Sequence, residues 1–204
     1  MQVSKSKLRN GVLRARELLN DSRVFVDTRS GGQISIDGLQ AVVHEHRGIP
    51  VKVHDVAFDA ANIRGRMERY TTHIDIHIRR NMDSEWKRIV TAKELLHAII
   101  DDDEDCTPYG NLTLEELVAE GRIGHLCNES TNGKPVQSEW IAEVAAIELM
   151  YPNHYRVDDE RALSRGEASL SHLALRFDIP EMFIETALQP SYRRAIASAL
   201  EAEE

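Results

Sequence analysis

Four residues between Arg88 and Asp101 carry side chains that could do chemistry, at a spacing that brings them together. Lys93, His97 and Asp101 recur every fourth residue, so on a helix they share one face. Glu94 lies one step round from Lys93. A neutral imidazole can ligate a metal, a carboxylate beside it can act as a general base, and an ammonium supplies positive charge. Further along, Glu139 precedes an apolar run of Ala142, Ala145, Ala146 and Leu149. A carboxylate there also suits the positive end of a helix dipole. His73, Asp75 and His77 alternate with isoleucines and share one face of a strand. That face reads either as a metal-binding set or, more ordinarily, as the polar side of an edge strand.

The chain has 204 residues, 42% of them hydrophobic, and a net charge of −9. This length suits one domain, or one with a small appendage, and the apolar content suffices for a core. The acidic balance disfavours non-specific contact with nucleic acid phosphates or an anionic membrane. No apolar run approaches the roughly 18 residues of a membrane helix. The opening residues, Met1-Gln-Val-Ser-Lys-Ser-Lys7, lack the apolar core of a signal peptide. Cys106 and Cys127 have no metal-type spacing and read as reduced, structural thiols. Together these features predict a cytoplasmic protein with no membrane partner.

The elements that must position the polar residues follow from periodicity and punctuation. Residues 4–20 read as an amphipathic helix with Leu8, Val12, Ala15, Leu18 and Leu19 on one side. Val24–Val26 reads as a short strand or loop anchor, and Ser30-Gly31-Gly32 as a boundary. Asp37 can cap a helix that Gly48 ends. His44 and His46 near its end share no face and read as solvated. Pro50–Val56 alternates as a strand should, and residues 57–68 read as a helical or irregular connection. Tyr70–Arg79 is the clearest strand, expected at a sheet edge, and Asp83 or Ser84 caps the helix that carries Lys93.

Asp101–Asp105 is an acidic run without the internal glycine of a calcium loop, so it reads as a solvated helix terminus. Thr113 and Glu116 form a capping box, and residues 121–135 read as a loop. Ser138 reads as the cap of an apolar helix from Glu139 to Met150, stopped by Pro152. Residues 167–188 form two helices about Asp178-Ile179-Pro180, similar to a helix-turn-helix. The second presents Glu181, Glu185 and Thr186 rather than the basic and amide side chains that read bases. Basic residues come only later, at Arg193 and Arg194, so direct nucleic acid binding is disfavoured.

In order and spacing, these parts resemble the ImmA/IrrE metallopeptidase family over roughly residues 35–190. Arg88-Ile-Val-Thr-Ala-Lys93-Glu94-Leu-Leu-His97 is similar to the family's Arg-Phe-x-x-Ala-His-Glu-Leu-Gly-His. Glu139-Trp-Ile-Ala142-Glu143, followed by Ala145-Ala-Ile-Glu-Leu-Met-Tyr-Pro152, is similar to its second motif, Glu-x-x-Ala-Asn ending near Leu-Met-Pro. Leu173-Ala-Leu-Arg-Phe-Asp-Ile-Pro180 is similar to its usual ending. The resemblance implies an α+β, mostly helical zincin-like domain over 31–165. It also implies a small sheet whose edge strand flanks the active helix. An N-terminal helix and linker would occupy 1–30, and a C-terminal helical pair 166–204.

The same resemblance implies zinc as cofactor, Glu94 as general base, and His97 and Glu139 as metal ligands. Lys93 stands at the first ligand position, where the family has histidine, and Leu96, Glu143 and Ala145 are further departures. His73 or His77 are the candidates to replace the missing ligand. Thr72, His73, Asp75 and His77 would receive a substrate strand by strand addition. The expected partner is a protein, a helix-turn-helix repressor of the kind encoded beside such enzymes on phages and mobile elements. Three readings follow. One is a zinc endopeptidase with an altered site. The second is an inactive relative, without metal, that sequesters a regulator, with Lys93 as a built-in counter-ion paired with Glu139. The third is a DNA-associated regulator using residues 167–195.

Overall fold

The computed structural model describes residues 4–26, 33–59, 63–102 and 134–201. Helix α1 (Lys5–Leu18) starts where the Ser4 hydroxyl accepts the Lys7 N–H. Its stripe of Leu8, Val12, Ala15 and Leu18 is buried, as the 3.6-residue period requires. A two-residue antiparallel ribbon, β1 (Phe25–Val26) with β2 (Gln33–Ile34), leads to α2 (Ile36–Arg47). The cap of α2 is Ser35, whose hydroxyl accepts the Gly38 N–H, and not Asp37, which lies inside the first turn. Gly38 has no room for a side chain: a Cβ there would lie 1.7 Å from the Arg23 carbonyl oxygen. Gly48 ends the helix in the left-handed region at φ 66°, and His44 and His46 are exposed.

Three strands follow, β3 (Val51–Val56), β4 (Gly65–Arg69) and β5 (Ile74–Arg79). They form one sheet in the order β3-β5-β4, parallel between β3 and β5 and antiparallel between β5 and β4. Two expectations are corrected here. The stretch 57–68, read as a connection, includes the first four of the five residues of β4. The histidine-bearing strand is central, not an edge, so both its sides are already paired and it cannot accept a further strand.

Helix α3 (Ser84–Ile100) lies across this sheet and also packs against α2 and α4 (Lys134–Met150). Ile74, Ile76 and Ile78 are 0–1% exposed on the buried side of the sheet. On α3, Ile89, Ala92, Leu95, Leu96 and Ala98 are buried. Each such aliphatic contributes about 1.5–3 kcal/mol over an exposed one, which holds the helix to the sheet without help from its polar stripe. α4 begins at Lys134, so the last two residues of the expected loop are helical and Ser138 is not its cap. Met150 ends α4, and Pro152 occupies the cap position of α5 (Asn153–Ser164), a helix the sequence pattern did not announce.

The C-terminal elements are α6 (Leu170–Phe177), α7 (Glu181–Leu188) and a further unforeseen helix, α8 (Pro190–Glu201). Asp178 ends α6 at φ 53°, and its carboxylate meets Arg88 Nε at 2.8 Å, tying the helical pair to α3. A single hydrophobic cluster runs from Leu8 through Ala199. No helix among the described residues is long and apolar enough to cross a membrane. The Gly31-Gly32 break, most of the acidic run, the Thr113–Glu116 box, Cys106 and Cys127 lie outside the described residues.

Candidate functional site

Helix α3 places Lys93, Glu94, His97 and Asp101 along one side, and α4 runs beside it to deliver Ser138 and Glu139. Lys93 Nζ donates to Glu139 Oε2 at 2.6 Å and lies 3.2 Å from Glu94 Oε1. His97 Nε2 faces Glu139 Oε1 at 3.4 Å. On its other side the His97 ring donates from Nδ1 to Asp101 Oδ2 at 2.7 Å. Ser138 Oγ donates to Asp101 Oδ1 at 2.6 Å and is 3.2 Å from His97 Nδ1. Glu94, His97, Asp101 and Ser138 are buried, whereas the Glu139 side chain is 41% exposed and that of Lys93 21%. The cluster is therefore closed beneath and open at Glu139.

The charges of the cluster support one another. Burial opposes the Lys93 ammonium, but Glu139 and Glu94 outweigh it and hold its pKa well above the ordinary lysine value. Burial likewise opposes a charged His97, yet Glu139 and Asp101 raise its pKa to about 10, so the ring is an imidazolium at neutral pH. Burial pushes Glu139 upward, and Lys93 and His97 more than reverse this, leaving its carboxyl far below the usual carboxylate range. Glu143, one turn further along α4, is raised chiefly by burial, against the pull of Lys93.

These residues do not fit a catalytic zinc. Such a site takes three protein ligands and a water, and a protonated Lys93 has no lone pair to give. His97 Nε2 and Glu139 remain as two ligands, and both are engaged with cations or protons in the cluster. His73 and His77 do not complete the set. Alternation along β5 turns Ile74, Ile76 and Ile78 inward, while Asp75 and His77 face away from them, toward His54 and Glu68. Thr72 is exposed in the turn before the strand. Among the described residues no three His, Cys, Asp or Glu side chains stand grouped to hold a metal ion.

Two buried atoms in the cluster lack a hydrogen-bond partner, Glu94 Oε1 and His97 Nε2. Each makes only an ionic approach, to Lys93 and Glu139 respectively. Strand β4 passes directly beside the first of them. A Cβ on Gly65 would lie 2.8 Å from Glu94 Oε1 and 2.6 Å from Val90 Cγ1, so only glycine lets the strand approach this closely. Arg64 O accepts from Arg79 N, and Tyr70 N donates to His73 O. By antiparallel alternation the main-chain groups of Gly65 and Met67 then point away from β5. Among the described residues no strand pairs with that side of β4.

Sequence reasoning brought Lys93, Glu94, His97 and Glu139 together, although the last only through the resemblance. It placed Asp101 on the same face without its role as the partner of His97. Ser138 lies inside α4 rather than at its cap, because a serine at the head of an apolar run has the same local pattern in either place. Gly65 carried no signal beyond being a glycine between arginines. No protein-family model matches the chain, and a search of curated proteins finds no match.

Proposed function

We propose that this chain is an ImmA/IrrE-like protein whose peptidase site has become a binding site without metal. It holds an extended segment of a protein regulator, a helix-turn-helix repressor by analogy with the family, and does not cleave it. The observation that carries the reading is the Lys93 bridge between Glu94 and Glu139. Two glutamates side by side in a partly buried site repel, and a cation must stand between them. In a zinc peptidase that cation is the metal. Here the ammonium supplies the charge but neither the Lewis acidity nor the water activation that hydrolysis needs.

Binding by strand addition needs no metal. The outward main-chain groups of Gly65 and Met67 offer the start of a ladder on β4, and β4 takes over the substrate-strand role expected of residues 72–77. A DNA-reading role for residues 167–195 has less support, because α7 exposes Glu181, Met182 and Glu185.

The test is elemental zinc on native chain, Lys93→His, and each combined with Glu139→Ala. The expected result is one zinc equivalent in Lys93→His that Glu139→Ala removes, and none in the native chain that Glu139→Ala removes. A Glu139-dependent zinc in the native chain overturns the reading and restores the working peptidase. No Glu139-dependent zinc in Lys93→His overturns the assignment of the site itself.

A further inference from the structure

The side of the sheet that faces away from α3 gathers chemistry the cleft does not use. Strand register sets His77 opposite His54 of β3 and Asp75 opposite Glu68 of β4. Three imidazoles and two carboxylates thus share one patch. Asp75 engages two of the imidazoles: His54 Nε2 lies 3.1 Å from Oδ1, and His73 Nε2 lies 3.3 Å from Oδ2. The His77 ring is 5.4 Å from that of His54. Its Nδ1 is buried with no hydrogen-bond partner, and Glu68 Oε2 is 4.0 Å away.

We propose that this face binds a late divalent transition metal ion, zinc, nickel or copper, through His54, His73 and Asp75, with His77 as a fourth donor. Ligands held 2.0–2.2 Å from a tetrahedral ion lie about 3.3–3.6 Å from one another. His54 Nε2 and His73 Nε2 meet opposite oxygens of Asp75, so both rings already point at this one carboxylate. Imidazole with carboxylate suits these ions, whereas calcium and magnesium prefer oxygen alone. His73 also has the outer contact that metal-ligating histidines carry: Thr72 Oγ1 sits 2.9 Å from its Nδ1, leaving Nε2 toward Asp75. Tyr70 stacks on the same ring at 4.5 Å and donates to Glu68 at 2.7 Å.

The structure does not group three donors about one point among the described residues. What closes the set is rotation of His54 and His73, whose side chains are 42% and 33% exposed. The site lies across the sheet from Lys93 and stands or falls independently of the peptidase-like reading.

The experiment is calorimetric titration of Zn²⁺ into the chelator-stripped full chain, with folding of every variant checked by circular dichroism. One saturable event is expected in the native chain, unchanged in Glu139→Gln and weakened at least about tenfold in His54→Gln and in His73→Gln. No binding overturns the proposal. So does binding that both histidine variants leave intact, and so does binding that Glu139→Gln abolishes, which would put the ion in the cleft.

Discussion

Two clusters of buried charge sit at opposite ends of α4, and they are finished to different degrees. At the C-terminal end Arg156 donates to Glu148 Oε1 at 2.7 Å and to the Tyr151 carbonyl at 3.1 and 2.6 Å. Tyr192 OH donates to the same Glu148 oxygen at 3.1 Å, and Arg16 approaches the other at 3.7 Å. Both side chains of the central pair are 1–2% exposed, and Glu148 Oε1 accepts two hydrogen bonds. At the N-terminal end Lys93 and Glu139 are paired too, but Glu94 Oε1 and His97 Nε2 are left without hydrogen bonds. Burying a charge is tolerable only with its bonds made. The first network, through Arg156 and Tyr192, fixes α5 and α8 to the core. The second holds two of its atoms by ionic approach alone and opens to solvent at Glu139.

The contrast can be broken first at its finished end. Arg156→Ala leaves Glu148 buried without its main partner, and chemical denaturation should register a loss of about 3–5 kcal/mol. At the open end, Lys93→Ala strands two glutamates of which one is half exposed. There the loss should be smaller, about 1–3 kcal/mol, and Lys93→Ala should raise the apparent pKa of a neighbouring carboxyl in an NMR titration. Equal losses at the two sites would erase the distinction. Gly65→Ala forces a methyl against Val90 and Glu94, an overpacking of about 1 kcal/mol. Its larger consequence should be weakened capture of an extended peptide by β4, read by fluorescence polarisation.

The smallest expected change is in the His97 ring signals between pH 6 and 8: almost none. Its pKa is raised to about 10 in the folded chain. The stability it contributes is therefore complete below its unfolded pKa of about 6.5 and lost as pH rises through about 10. A ring that titrates near 6.5 would show that Glu139 and Asp101 do not hold it charged.

What the sequence made legible was whatever a local period encodes. The four-residue recurrence of Lys93, His97 and Asp101 gave one helix face, and the alternation of Ile74, Ile76 and Ile78 gave one strand face. Neighbours across the sheet have no such signature. β4 is five residues, all half-buried, with no alternation to mark it, so the sequence alone leaves β5 looking like the edge. The Lys93–Glu139 contact spans 46 residues, and no periodicity reaches that far. Only the order of motifs suggested it. Ser138 shows the converse error, a local rule applied correctly to a helix that had begun four residues earlier.

The Lys93 bridge also bears on how this chain can change by mutation. Lysine and histidine codons differ at more than one base, so a change of Lys93 to histidine passes through asparagine or glutamine. Either intermediate is a neutral amide that would leave Glu94 and Glu139 facing each other with neither an ammonium nor the full ligand set for an ion. Each path crosses a less stable protein before any metal can compensate. The ammonium that fills the site thus puts histidine at this position out of reach of any single base change.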